Sequence, residues 1–255
     1  MKWLGFAFVF AAIFSLSGRF AVADVWIGGH GDIGAGYDSG TLEVGFHFEG
    51  TGSEAALGLG GPIPNGEAPS TDHIIGITTS PTTRQSGSKW DFLGVNAGEN
   101  FFLLPETEVV GLPFLGFGLE ELAASDWVGD LTWTVNSLVS PSGSAFSIYS
   151  LDGFGEPNVL ASTTQPTNNS FEQSAETHAH YNLAFSHAGT YEIAFRISGT
   201  HIGDGFKESD FATFTFQVSA VPEPTSFLLL GSVLSSGAAF AWRRKFGRST
   251  NPPAN

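Results

Sequence analysis

Residues 41–49 read Thr41-Leu42-Glu43-Val44-Gly45-Phe46-His47-Phe48-Glu49. Leu42, Val44, Phe46 and Phe48 fall on one side of an extended chain, and Glu43, Gly45, His47 and Glu49 on the other. A helix would scatter this period of two, whereas a strand sends alternate side chains to opposite faces. The stretch therefore predicts a half-buried β-strand with one wet face. The same alternation returns in Leu131-Thr132-Trp133-Thr134-Val135 and in Phe146-Ser147-Ile148. It continues through Tyr181, Leu183 and Phe185, through Tyr191, Ile193, Phe195 and Ile197, and through Phe214, Phe216 and Val218. The short turn Ser186–Thr190 suggests that two of these strands form a hairpin. Leu119 to Ala124 is the one locally helical pattern, and the Gly-, Pro-, Ser-, Thr- and Asn-rich stretches 50–70 and 152–176 read as long loops. Short strands, Gly-rich turns and no internal repeat predict an all-β chain, with one antiparallel β-sandwich or jelly-roll-like domain over 24–220.

Composition supports a packed core. The 255 residues include 24 Phe, too many aromatics for a disordered chain. The absence of Cys excludes disulfides, thiolate zinc sites and a cysteine nucleophile. Asp and Glu total 25 against 10 Lys and Arg. Between Asp24 and Val221 the only cations are Arg84, Lys89, Arg196 and Lys207. Nucleic acid is thus excluded as a partner, because phosphate binding relies on clustered Lys and Arg. A body this acidic stays soluble and attracts cations.

The two ends carry addresses. Lys2, the apolar run Trp3–Leu16 and the small-x-small sequence Ala21-Val22-Ala23 form a secretory signal peptide over 1–23, cleaved before Asp24 by the secretion machinery. At the other end Val221-Pro222-Glu223-Pro224-Thr225 precedes an apolar stretch from Phe227 to Trp242, and Arg243, Arg244, Lys245 and Arg248 follow. A basic cluster after an apolar helix stays cytoplasmic, and so short a helix suits a temporary transmembrane span. The order of the three parts over 221–248, ahead of a tail at 249–255, resembles the PEP-CTERM sorting signal. The resemblance implies recognition by an exosortase-type sorting enzyme in a Gram-negative envelope, transient anchorage in the inner membrane, and delivery to the cell surface or extracellular matrix.

All seven histidines lie in the body. His178-Ala179-His180 places two imidazoles on one face of a strand, together with Asn182. Gly29-His30-Gly31-Asp32 is a second polar cluster. Imidazole with carboxylate suits a divalent metal, zinc first, but a His-x-His pair supplies only two ligands. Completing ligands must come from elsewhere, with His30 and Asp32 ahead of His73, His187 and His201. The alternative is that His178 and His180 are hydrogen-bonding residues on a wet strand.

His178-Ala179-His180-Tyr181-Asn182, Ala188-Gly189-Thr190-Tyr191, Asp204-Gly205 and the opening Gly29-His30-Gly31-Asp32 together resemble the choice-of-anchor M surface-anchored proteins. The likeness covers roughly 25–50 and 176–219, with Leu183 and Ala188 departing from that family's Trp and Pro. It implies a surface protein without catalysis and favours the metal reading.

Other signals are weaker. Asp204, Glu208 and Asp210 offer calcium-type oxygens without an EF-hand pattern. Gly28-Gly29-x-Gly31 lacks the helix of a phosphate loop, and no Gly-x-Ser-x-Gly elbow occurs. Glu120 and Glu121 are adjacent and point apart, which gives no support to glycosidase chemistry. Trp26, Trp90, Trp127 and Trp133 could stack on sugars or fill the core. The expectation is an exported, non-catalytic surface or matrix protein with a metal bound by His178, His180, His30 and Asp32. An exopolysaccharide-binding or envelope-binding module is the alternative, and a metal-dependent hydrolase a lesser one.

Overall fold

Strand Asp24–Asp38 joins the two layers of the fold. In the computed structural model, which describes residues 23–221, it runs for 15 residues. Asp24–Trp26 lie parallel to His73–Thr79. Further along, Gly29–Gly34 lie parallel to Pro113–Gly118, and Asp32–Asp38 antiparallel to Thr41–Phe48. Gly29 marks the changeover at a φ of 74°, where a Cβ would collide with the Ala55 carbonyl. Only glycine tolerates both conditions.

One layer runs in the order Ser170–Gln173, Leu131–Val139, Gly189–His201, Ala212–Ala220, His73–Thr79 and the start of Asp24–Asp38. The facing layer begins with His178–His180, Pro113–Gly118, the rest of Asp24–Asp38, Thr41–Phe48 and Gly66–Ala68. The chain then passes Tyr181 into Asn182–Phe185, which belongs to a five-stranded sheet with Phe146–Leu151 and Asn100–Leu104 on either side. The layers meet through aromatic rings: Phe46 on Phe214 at 4.8 Å, Phe117 on Phe195 at 5.5 Å and Phe185 on Phe216 at 5.5 Å. Fully burying such a side chain contributes on the order of 2–3 kcal/mol, so this interior is the main source of stability.

The β-sandwich expectation holds, with differences of detail. Among the described residues three strand pairings are parallel rather than antiparallel. The Ser186–Thr190 turn does not close a hairpin: Asn182–Phe185 and Gly189–His201 pair with different neighbours. The turn crosses between layers, because Phe185 and Tyr191 both point inward and meet at 5.0 Å. Residues 119–123 form a turn, with a short 3-10 helix at Ala124–Asp126 and a longer one at Ser88–Leu93. The stretches read as loops contain short strands, including Pro157–Ser162 and Ser170–Gln173. The signal segment up to residue 22, and the Pro-Glu-Pro, apolar and basic segments from residue 222 on, lie outside the described residues. Among the described residues no helix is long and apolar enough to cross a membrane.

Candidate metal centre

Strand register assembles the cluster. Asp32 sits opposite His47 on one side and Gly116 on the other, and Gly116 is opposite His180. One rung along, Gly118 lies between Gly34 and His178. Residues opposite one another in a sheet share a face, as do i and i+2 along a strand. His30, Asp32, His178 and His180 therefore project from the same surface of the sheet. Between the two pairs runs Pro113–Gly118, whose residues on that face are Phe114, Gly116 and Gly118. The glycines leave a gutter without side chains, and the edge-strand imidazoles lean across it. A Cβ on Gly116 would collide with Asp32 Oδ1 and stand 2.5 Å from His178 Nε2.

The inner nitrogens converge. His30 Nε2 and His178 Nε2 are 3.3 Å apart. They lie 3.6 Å and 3.2 Å from Asp32 Oδ1. The His180 ring is 4.5 Å from that of His178 and 5.4 Å from that of His30, centre to centre. Ligand atoms of His30, His178 and His180 all fall within 4.8 Å of one another, as do those of Asp32, Glu120 and His178.

The outer nitrogens are each engaged. His180 Nδ1 is 3.0 Å from the Leu115 carbonyl, His178 Nδ1 is 3.1 Å from Glu120 Oε1, and His30 Nδ1 is 3.4 Å from the Glu49 carbonyl. The Leu115 and Glu49 carbonyls accept from Nδ1–H of His180 and His30, and the Glu120 carboxylate lies against Nδ1 of His178, so each ring turns its Nε2 inward. Phe114 stacks on His180 at 3.6 Å and 6°, fixing its ring plane.

Charge makes the arrangement costly without a cation. Asp32 is wholly buried, and neither carboxylate oxygen accepts a well-directed hydrogen bond among the described residues. A buried carboxylate in that condition has exchanged its hydration for the His178 and His30 imidazoles alone. Asp32 beside it raises the pKa of His178, against the opposing effect of burial. Burial pushes His180 down to about 4, so this imidazole is neutral at neutral pH. The cluster opens onto a basin of about 580 Å³ whose rim carries Glu49, Glu54 and Glu108.

The other sequence candidates lie elsewhere. His73 packs edge-on against Phe46 and Phe48, His187 bonds Ser186, and His201 lies against Tyr37 and Trp127. Asn182 does not accompany the histidines; it is buried and accepts the backbone N–H of Glu106. The strand breaks at Tyr181, so the alternation is not carried past it. Asp204 accepts from Tyr37, and Glu208 pairs with Arg196 at 2.7 Å, which disperses the suggested calcium group. Trp26, Trp90, Trp127 and Trp133 are all buried, so none presents a face to a sugar.

Glu120 was not legible as part of the cluster, and neither were Phe114, Gly116 and Gly118. The sequence Phe114-Leu115-Gly116-Phe117-Gly118 does alternate, with Leu115 and Phe117 on the core face. Its second face is largely glycine, and that hid the strand.

Comparison with known proteins bears on the C-terminus. Residues 220–245 match the family model of the PEP-CTERM protein-sorting motif. The chain carries this sorting motif, the signature of exported proteins that an exosortase processes. No curated protein and no solved structure matches it. The likeness of the body to choice-of-anchor M proteins therefore rests on its own sequence motifs alone.

Proposed function

We propose that this protein is a non-catalytic component of the cell surface or extracellular matrix that binds one divalent metal ion, zinc in the first place, through His30, His178, His180 and Asp32. The observation that carries the reading is that two donor groups, His30–His178–His180 and Asp32–Glu120–His178, share His178, with Asp32 wholly buried and lacking directed hydrogen bonds. Three nitrogens and one oxygen suit zinc, which takes four ligands tetrahedrally. Calcium and magnesium prefer oxygen-only shells. Each imidazole has an outer-shell oxygen, the usual companion of a metal-ligating histidine. The acidic basin supplies the access path for a cation.

If His30, His178, His180 and Asp32 all ligate, they would complete a tetrahedral shell and leave no position for a reactive water, which favours binding over hydrolysis. The polysaccharide-module alternative loses its tryptophans to the core. The sorting motif supports surface or matrix delivery. The test is metal content: the exported chain, purified from the host and equilibrated with zinc, carries close to one ion per chain by mass spectrometry. A His178→Ala/His180→Ala double variant carries none. Equal metal in both, or none in the parent after zinc, copper and manganese loading, overturns the reading.

A further inference from the structure

Glu120 and Glu121 are adjacent in the chain, and their side chains diverge to different partners. Glu121 turns toward His47, 3.8 Å away. Glu120 turns the other way and places Oε1 3.1 Å from His178 Nδ1. Its backbone is tied to the segment that leads into the His178 strand: Leu119 N–H donates to the Thr177 carbonyl, and Glu176 N–H donates to the Leu119 carbonyl, both at 2.9 Å. Leu119 and Leu122 on either side are buried and anchor the turn in the core. Space is kept for the carboxylate, since a Cβ on Gly118 would stand 2.5 Å from Glu120 Oε2.

We infer that Glu120 is a positioning residue of the metal centre, holding His178 Nδ1–H so that Nε2 faces the ion and supplying the second negative charge that neutralises a dication. The inference rests on the metal reading above. Three neutral imidazoles and Asp32 give the ligand shell one negative charge, and Glu120 brings the total to two. A buried ion whose charge is matched in its first two shells avoids most of the cost of leaving water. Glu121 cannot substitute, because it points to the other side of the turn.

The test uses the exported chain with zinc and with cobalt(II) as probes. Glu120→Gln keeps an oxygen acceptor for Nδ1–H and removes the charge; Glu120→Ala removes both. Zinc affinity by chelator competition is expected to fall ~10–100-fold in Glu120→Ala, the usual cost of losing an outer-shell partner, and by less in Glu120→Gln. The cobalt(II) visible bands shift in Glu120→Ala while the metal-free melting temperature stays near the parent's. Wild-type affinity in both variants overturns the role of Glu120 and leaves the metal site standing. A parent chain that takes up neither ion overturns the metal reading and this inference with it.

Discussion

In an ordinary strand, exchanging glycine for alanine stabilises a protein by about 0.4–1 kcal/mol, because the unfolded chain has less freedom to lose. Gly116 has no positive φ, so this gain applies to Gly116→Ala as well. Against it stands the gutter. The new methyl would overlap Asp32 Oδ1 and come within 2.5 Å of Nε2 and 3.0 Å of Cδ2 of His178. Asp32 is enclosed and cannot swing into solvent, whereas His178, about a quarter exposed, can. Overpacking of this kind costs about 1–3 kcal/mol, which leaves a net loss of roughly 1–2 kcal/mol after the backbone gain. At about 2–4 °C per kcal/mol for a body of this size, the metal-free protein should melt about 2–8 °C lower. Displacing His178 should abolish high-affinity zinc binding at the same time. Gly153→Ala is the control, since a Cβ there meets nothing within 4 Å and its φ is not positive; its melting temperature should stay level or rise slightly. Calorimetric melts with and without zinc decide the matter. A Gly116→Ala protein that melts at or above the parent and keeps parental zinc affinity would show that His178 and Asp32 do not meet over that glycine.

Above pH ~7, where His178 no longer gains from its carboxylate neighbour, Asp32→Asn should lower zinc affinity at least ~100-fold without lowering the metal-free melting temperature, because it removes a buried charge that lacks directed hydrogen bonds; a metal-free protein that melts several degrees lower at that pH would contradict this. His180 has a folded pKa of about 4, below its unfolded value, so its contribution to stability is complete above pH ~6.5 and is lost as pH falls toward 4. Melts of the metal-free protein across that range should show a shallower acid-side decline in His180→Asn, and parallel curves would refute the assignment. His178 has the opposite sign: its raised pKa contributes stability below pH ~6.5 that is lost as pH rises through the folded value, so His178→Asn should steepen the acid-side decline. Deleting residues 222–248 should leave the protein periplasmic or released into the medium, and unchanged surface display in fractionated cells would disprove sorting through that segment.

The alternating strands were readable because burial of one face writes itself into every second residue, as in Leu42, Val44, Phe46 and Phe48. The donor types His30, Asp32, His178 and His180 were also readable as chemistry without geometry. Two strands that carry the site were not. Asp24–Asp38 and Pro113–Gly118 are rich in glycine, and glycine gives no hydrophobic signal on either face. Asn182 went astray for a related reason: period two holds only while the strand is unbroken, and the chain changes sheets at Tyr181.

The sequence by itself determined the class of fold, the absence of thiol chemistry, the acidic surface and the sorting segment that the family match at 220–245 bears out. Those properties are local or additive, so neighbouring residues and totals suffice to read them. Only the tertiary structure decided that His30 stands 3.3 Å from His178, across 148 positions of sequence. It alone placed Glu120 behind His178 and sent Trp26, Trp90, Trp127 and Trp133 into the interior. Register between distant strands is set by the packing of the whole core, and no short stretch of the chain encodes which rung a residue will share.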